Sequence, residues 1–254
     1  MSSRIQTATI ALICAFALAA CALHGERASG GNAWSQSRQL VVVTTDGWDA
    51  TQGRLRSYER GADGAWQEQG EGVAITVGRS GSAWGLGLHP AQPGVQKREG
   101  DGRAPAGVFS IGPAFGYAPG ADTALPYLPM HADSWCMDVP ASPLYNRIVD
   151  AREVGAAAVE GSTEPMRLDL HNQGDARYRN GFVILHNAAA VKGAGSCIFA
   201  HLWKEPGQAT AGCTAMAAES MARLYRWLKP DMRPVFVLLP DVEYQRLQAS
   251  WDLP

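Results

Sequence analysis

The apolar residues of this 254-residue chain are gathered into runs of about three to eight, with glycine and proline between them. Runs this short and this rich in β-branched residues make strands and lack the length of a packed helix. Residues 39–45 (QLVVVTT), 72–77 (GVAITV), 166–171, 181–187 (GFVILHN), 198–200 and 232–239 (MRPVFVLL) all read as strands. Residues 54–59 alternate polar and apolar side chains, and with 39–45 and 72–77 they form an antiparallel meander. Helical spacing is confined to 217–228, where Met221, Leu224, Tyr225 and Leu228 share a face, and to 241–250, with Asp241 as its N-cap. A further short helix is expected within 146–159. Residues 112–139 are rich in proline and aromatics without a period, and read as a long loop over the sheet. The class is α+β, mainly β, with few helices.

The N-terminus reads as an export signal. Arg4 precedes an apolar stretch at 8–20 that is short for a membrane-spanning helix and ends Leu18-Ala19-Ala20-Cys21. That ending is similar to the lipobox of bacterial lipoproteins. The expectation is a signal peptide over 1–21 with Cys21 lipidated, a flexible tether over 22–38, and one domain over 39–254. The alternatives are an ordinary signal peptide cut near Ala20 and an uncleaved anchor. No later apolar run approaches the roughly 20 residues of a transmembrane helix. The protein is thereby expected in the cell envelope, facing the periplasm, lipid-anchored in the outer membrane and monomeric. Composition is that of a globular protein, 46% hydrophobic and 18% charged, and a net charge of −2 gives no electrostatic case for nucleic acid.

The chemistry is concentrated in residues 195–216, GSCIFAHLWKEPGQATAGCTAM. His201 closes a short apolar run, and Cys213 follows twelve positions later within Thr210-Ala211-Gly212-Cys213-Thr214. A thiol is a weak nucleophile until a base takes its proton, and His201 is the candidate base. Small neighbours at Ala211 and Gly212 leave the sulfur uncovered and let backbone N–H groups of Gly212 and Cys213 serve as an oxyanion hole. If Cys213 directly precedes the 217–228 helix, the helix dipole favours its thiolate. The structural alternative is a buried small thiol beside a satisfied core histidine. His186 ends a second strand-like run and is the rival base; His89 reads as a surface residue, and His171 is a further candidate. No CxxC or HxxxH spacing fixes a metal.

Several ordered blocks resemble the YkuD-type L,D-transpeptidases, cysteine enzymes that cross-link peptidoglycan. The blocks are His201 with Thr210-x-Gly212-Cys213, the run Gly195-Ser196-x-Ile198-Phe199-x-His201, Gly100-Asp101-Gly102 through Pro105-Ala106-Gly107-x-Phe109, Trp135 to Asp138, and Tyr145-Asn146. The resemblance covers roughly 39–240. It implies a single mixed β-sheet sandwich, Cys213 as nucleophile and His201 as base, peptidoglycan stem peptides as substrate, and no cofactor or metal. Ser196, His186, Trp135, Asp101 and Arg103 are candidates for supporting the site or touching substrate. Asp101 and Arg103 are expected chiefly to pair or to cap backbone groups, and Trp135 to close the core. Better-known members carry an Arg two residues after the Cys; here that position is Ala215. The same site would serve an L,D-carboxypeptidase or endopeptidase, and loss of activity would leave a cell-wall-binding lipoprotein.

Of the remaining cysteines, Cys14 would leave with the signal and Cys21 would be lipidated. Cys136 and Cys197 are then left as an even pair in an oxidising compartment, and a disulfide between them is expected.

Overall fold

A computed structural model describes residues 32–254, which form one compact unit. The expectations for residues 1–31, export and lipidation included, lie outside the described residues. Among the described residues no helix is long and apolar enough to cross a membrane.

The chain is built mainly from strands. The first four are β1 (Gln39–Thr45), β2 (Gln52–Arg60), β3 (Trp66–Glu68) and β4 (Val73–Thr76), and β2 pairs antiparallel with β1, β3 and β4, the expected meander. Then come β5 (Ser82–Trp84) and the long β6 (Ala104–Gly116), β7 (Tyr127–Pro129), β8 (Ser134–Cys136) and β9 (Ile148–Asp150). A helical turn α1 (Ala151–Val154), the two-residue β10 (Glu164–Pro165) and a second turn α2 (Leu168–His171) follow. The chain ends with β11 (Asn180–Ile184), β12 (Phe199–Leu202), β13 (Thr214–Met216), helix α3 (Ala218–Trp227), β14 (Val235–Pro240) and helix α4 (Asp241–Leu247).

The main sheet runs β1-β14-β6-β11-β12-β13-β4-β2, and the β1–β2 pairing closes it on itself. It is mixed: β1–β14 and β12–β13 are parallel, while β6 is antiparallel to both β11 and β14. This is the expected β-sheet sandwich, with a barrel-like closure that removes open edges. Its interior is filled by inward residues such as Leu40, Val42, Ile75, Val108, Phe182 and Val237. The apolar face of α3 seals one opening with Met221, Leu224 and Tyr225, and the Tyr225 hydroxyl takes the Gly181 N–H at 2.7 Å.

Five local expectations differ from the fold. Residues 112–116 are not loop: they continue β6, and Pro113 is accommodated because β6 and β11 slip register there. Three steps from Ile111 to Ala114 face two from Ile184 to Phe182, a bulge that suits a residue with no N–H to donate. Within the run at 166–171, residues 168–171 are a helical turn after β10 rather than a strand; the Asn172 N–H bonds the Leu168 carbonyl at 2.7 Å, and of that turn only Leu168 is buried. His89 is buried rather than on the surface, stacked on Trp251 at 5.3 Å and boxed by Trp84 and Phe109. Gly107 makes room for it: a Cβ there would lie 1.8 Å from the imidazole Nε2. Within residues 32–38, expected as tether, Trp34 and Ser37 are buried; Trp34 is 3% exposed, and its indole N–H donates to the Trp251 carbonyl. Asp241, expected as an N-cap, is the first residue of α4.

A second, three-stranded sheet, β10-β8-β9, lies apart from the main one. Its register places Glu164 opposite Cys136. Cys136 and Cys197 are joined by the expected disulfide, so this small sheet is tied to the segment that enters β12.

Candidate active site

β12 and β13 run side by side in parallel, with Ala200 opposite Thr214 and His201 opposite Ala215. Side chains two apart on a strand share a face, so this register puts Cys213 diagonal to His201. Both line one cleft of about 330 Å³. Cys213 is 7% and His201 3% exposed, less open than the small flanking residues suggested. The reason lies across the chain: Phe115, Met166, Leu168, Tyr178 and Phe199 pack around the thiol.

The Cys213 sulfur accepts the Phe199 N–H at 3.3 Å and lies 3.5 Å from the Cys197 carbonyl, to which its S–H donates. No hydrogen bond joins it to His201 among the described residues. The His201 Nδ1 sits 2.7 Å from the Leu202 carbonyl. A carbonyl only accepts, so Nδ1 carries the proton and Nε2 keeps the lone pair. Burial pushes the thiol up to about 12, with the nearby Glu164 charge adding to it, and pushes the imidazole down to about 4. The resting pair is therefore thiol and neutral imidazole. The expected help from a helix dipole is missing, because β13 separates Cys213 from the start of α3.

The loop before Cys213 is locked from two sides. Thr210 bridges to the 77–79 segment, giving its N–H to Val77 and taking that of Arg79. Its hydroxyl donates to the Cys213 carbonyl at 2.6 Å and accepts the Gly212 N–H at 3.1 Å. The Gly212 amide is thus engaged in this conformation, so of the two N–H groups expected to face an oxyanion it is not the free one. Gly212 is needed for close approach: a Cβ there would lie 3.0 Å from the Arg103 carbonyl. The 99–103 turn therefore backs the loop before Cys213. Ala211 lines the cleft, and Thr214 is buried in β13.

The remaining candidates divide by their contacts. Ser196 lines the cleft and donates to Glu99 at 2.7 Å. Asp101 holds its own turn, accepting the N–H groups of Arg98 and Arg103 and the Lys97 ammonium at 2.6 Å. Arg103 reaches away to Asp49 at 2.9 Å. Trp135 packs on His171, ring centres 5.2 Å apart, and does not line the cleft. His186 is committed to two backbone groups: Nδ1 accepts the Leu86 N–H, and Nε2 donates to the Ala194 carbonyl at 2.9 Å. Tyr145 and Asn146 brace the approach to β12. Tyr145 donates to Glu99, and the Asn146 side chain takes the Cys197 N–H at 2.9 Å while donating to the His186 and Asn187 carbonyls.

Sequence reasoning missed Glu164, Tyr178 and Arg177, all of which line the cleft. The Tyr178 hydroxyl donates to Glu164 Oε1 at 2.6 Å, and its ring meets the His201 imidazole edge-on at 5.2 Å. Glu164 belongs to a two-residue strand and Tyr178 to a single 3-10 turn, so neither carried a periodic signal. Ala215 is buried between His201 and Thr76, and the cations at the cleft are instead Arg79, Lys97 and Arg177. Among the described residues no cluster of His, Cys, Asp and Glu has the geometry to hold a metal ion.

A search of curated proteins and of solved structures finds no match to the chain. The family model for the L,D-transpeptidase catalytic domain, YkuD, matches residues 40–237, nearly the whole of the closed sheet with its Cys–His cleft. The chain belongs to the YkuD family of L,D-transpeptidase catalytic domains.

Proposed function

We propose that the protein is a cysteine-dependent L,D-transpeptidase that acts on peptidoglycan stem peptides through a thioacyl intermediate on Cys213. The observation that carries this reading is a free thiol immediately before β13 and an imidazole on the adjacent parallel β12, both lining one polar cleft.

The thiol proton passes to His201 Nε2 as the sulfur attacks the carbonyl carbon of the donor peptide. The carbonyl oxygen becomes an oxyanion against the Cys213 N–H. The C–N bond then breaks, the imidazolium returns its proton to the leaving amine, and the acyl group is left as a thioester. The neutral resting pair means that the ion pair forms only as charge develops on a bound carbonyl, when a substrate has displaced water from the cleft. Resolution by an amine gives a cross-link; resolution by water makes the same site a carboxypeptidase or endopeptidase.

The test is incubation with tetrapeptide muropeptides followed by mass spectrometry, beside Cys213→Ala. Dimers with loss of the terminal residue, absent in the variant, support the transpeptidase. Monomers shortened by one residue mean a hydrolase, and no change in either protein means a binding module. We also propose, from the N-terminal residues alone, that the protein is a lipid-anchored monomer facing the periplasm; metabolic labelling with a fatty acid, lost in Cys21→Ala, tests the anchor.

A further inference from the structure

Three carboxylates line the cleft around Cys213, and none of them is in an ion pair among the described residues. Glu99 takes hydroxyl donors from Tyr145 and Ser196, and Asp138 takes the N–H and hydroxyl of Thr163. Glu164 has one oxygen on the Tyr178 hydroxyl and no partner for Oε2. The cations of the cleft are mostly engaged: Lys97 with Asp101 at 2.6 Å and Arg177 with Asp175 at 2.8 Å, leaving Arg79. A half-buried carboxylate with no ion-pair partner is costly, and such a group at a cleft calls for a cationic or N–H-bearing ligand.

The position of Glu164 is built rather than incidental. Its strand partner across the small sheet is Cys136, whose disulfide to Cys197 fixes that sheet against the entry to β12. Tyr178 holds the carboxylate while its ring rests on His201. The Glu164 charge is also felt at the Cys213 sulfur.

We propose that Glu164 is the acceptor-side residue of this site: it binds the ammonium of the incoming amine and takes one of its protons, so that the thioester on Cys213 is resolved by an amine rather than by water. This rests on the thioacyl reading above. The step balances. The R–NH3+ group gives one proton to the Glu164 carboxylate, and the freed lone pair attacks the thioester carbonyl. The C–S bond breaks with its electron pair going to sulfur, and a second N–H proton passes through His201 to the thiolate. The products are an amide with one N–H, a Cys213 thiol and a protonated Glu164, which then releases its proton to water.

The proton affinity of Glu164 suits this work. Burial raises it to about 7, with Asp138 and Glu99 pushing the same way and the Tyr178 hydroxyl and Arg177 pulling it down. The other charged or titratable groups lining the cleft are Lys97, Arg79, His201 and Cys213. A carboxylate of ordinary acidity would be far too weak a base for an ammonium; one near 7 takes the proton more readily.

The test is a partition ratio, which does not depend on how fast the thioester forms. Full-length protein is given a tetrapeptide muropeptide and Nα-acetyl-lysine as the amine, and amide and hydrolysed products are counted by mass spectrometry. In wild type the amide-to-acid ratio rises with pH through about 7. In Glu164→Gln the ratio falls at least tenfold and loses that inflection, and Glu164→Asp restores part of both. Thermal melts confirm that each variant is folded; should the Gln variant fail to fold, the Asp variant and Tyr178→Phe carry the same comparison. A ratio and inflection unchanged in the folded variants overturn the proposal. If no thioacyl adduct forms on wild-type Cys213, the underlying reading fails instead, which intact-protein mass spectrometry separates from the first outcome.

Discussion

Removing the Cys136–Cys197 bridge probes stability and the site together. The bridge closes a loop of 61 residues and joins the β8–β10 sheet, which carries Glu164, to the segment whose Cys197 carbonyl and Phe199 N–H meet the Cys213 sulfur. In the chain-entropy picture a loop of that length restricts the unfolded chain by roughly 4 kcal/mol. Both sulfurs are buried, so Cys136→Ala/Cys197→Ala adds a small packing loss. For a unit of this size about 4 kcal/mol corresponds to a fall in Tm of roughly 10 °C. The assay is urea unfolding of the oxidised wild type and the double variant, with alkylation mapped by mass spectrometry to show that only Cys213 of these three cysteines reacts after denaturation of the wild type. The double variant should also show a lower amide-to-acid ratio, since Glu164 loses its anchor. A stability loss under about 1 kcal/mol, or Cys136 and Cys197 alkylated in the unreduced protein, would refute the reasoning.

Other outcomes follow from the same geometry. With its thiol pushed up to about 12, free Cys213 should be alkylated at pH 8 at least a hundredfold more slowly than an ordinary exposed thiol, and an alkylation midpoint near ~8.5 would contradict the buried resting state. His186→Ala strands the Leu86 N–H and the Ala194 carbonyl, and should cost about 2–3 kcal/mol in urea unfolding while leaving Cys213 acylation measurable. His186 and His201 are both held near 4, below their ordinary 6.5, so the unfolded chain binds their protons first. Each contribution is whole above pH 6.5 and is lost as pH falls toward 4; Glu164, raised to about 7, works oppositely, and the net loss from these three groups is about 3 kcal/mol, read from unfolding at pH 7 and pH 4. Gly212→Ala should lower turnover at least tenfold and also lower the melting temperature, because the positive φ strains an alanine there and the added Cβ meets the Arg103 carbonyl, displacing the loop before Cys213.

Much of this protein is set by local sequence. Short β-branched runs such as QLVVVTT can only be strands, and the spacing of Met221, Leu224 and Tyr225 can only face one side of a helix, because both periods follow from backbone geometry. The ordered blocks around His201, Cys213 and Asp101 identified the family for the same reason: a tight loop and a strand-end pair need fixed residues at fixed separations. The long loop expected at 112–139 was misread at its start because a bulge that shelters Pro113 depends on β11, some seventy residues away. His89 is buried because Phe109 and, from far along the chain, Trp251 complete an aromatic box with its neighbour Trp84, which the local sequence around His89 does not display. The protonation of the site was decided only in three dimensions. A Cys followed by small residues looks exposed and activated along the chain, yet its environment comes from β10, α2 and the turn at Tyr178, none of which is local to it. Burial and charge at a point depend on everything packed around it, and so the roles of Glu164 and Tyr178 arise from tertiary contact rather than from any pattern the chain displays.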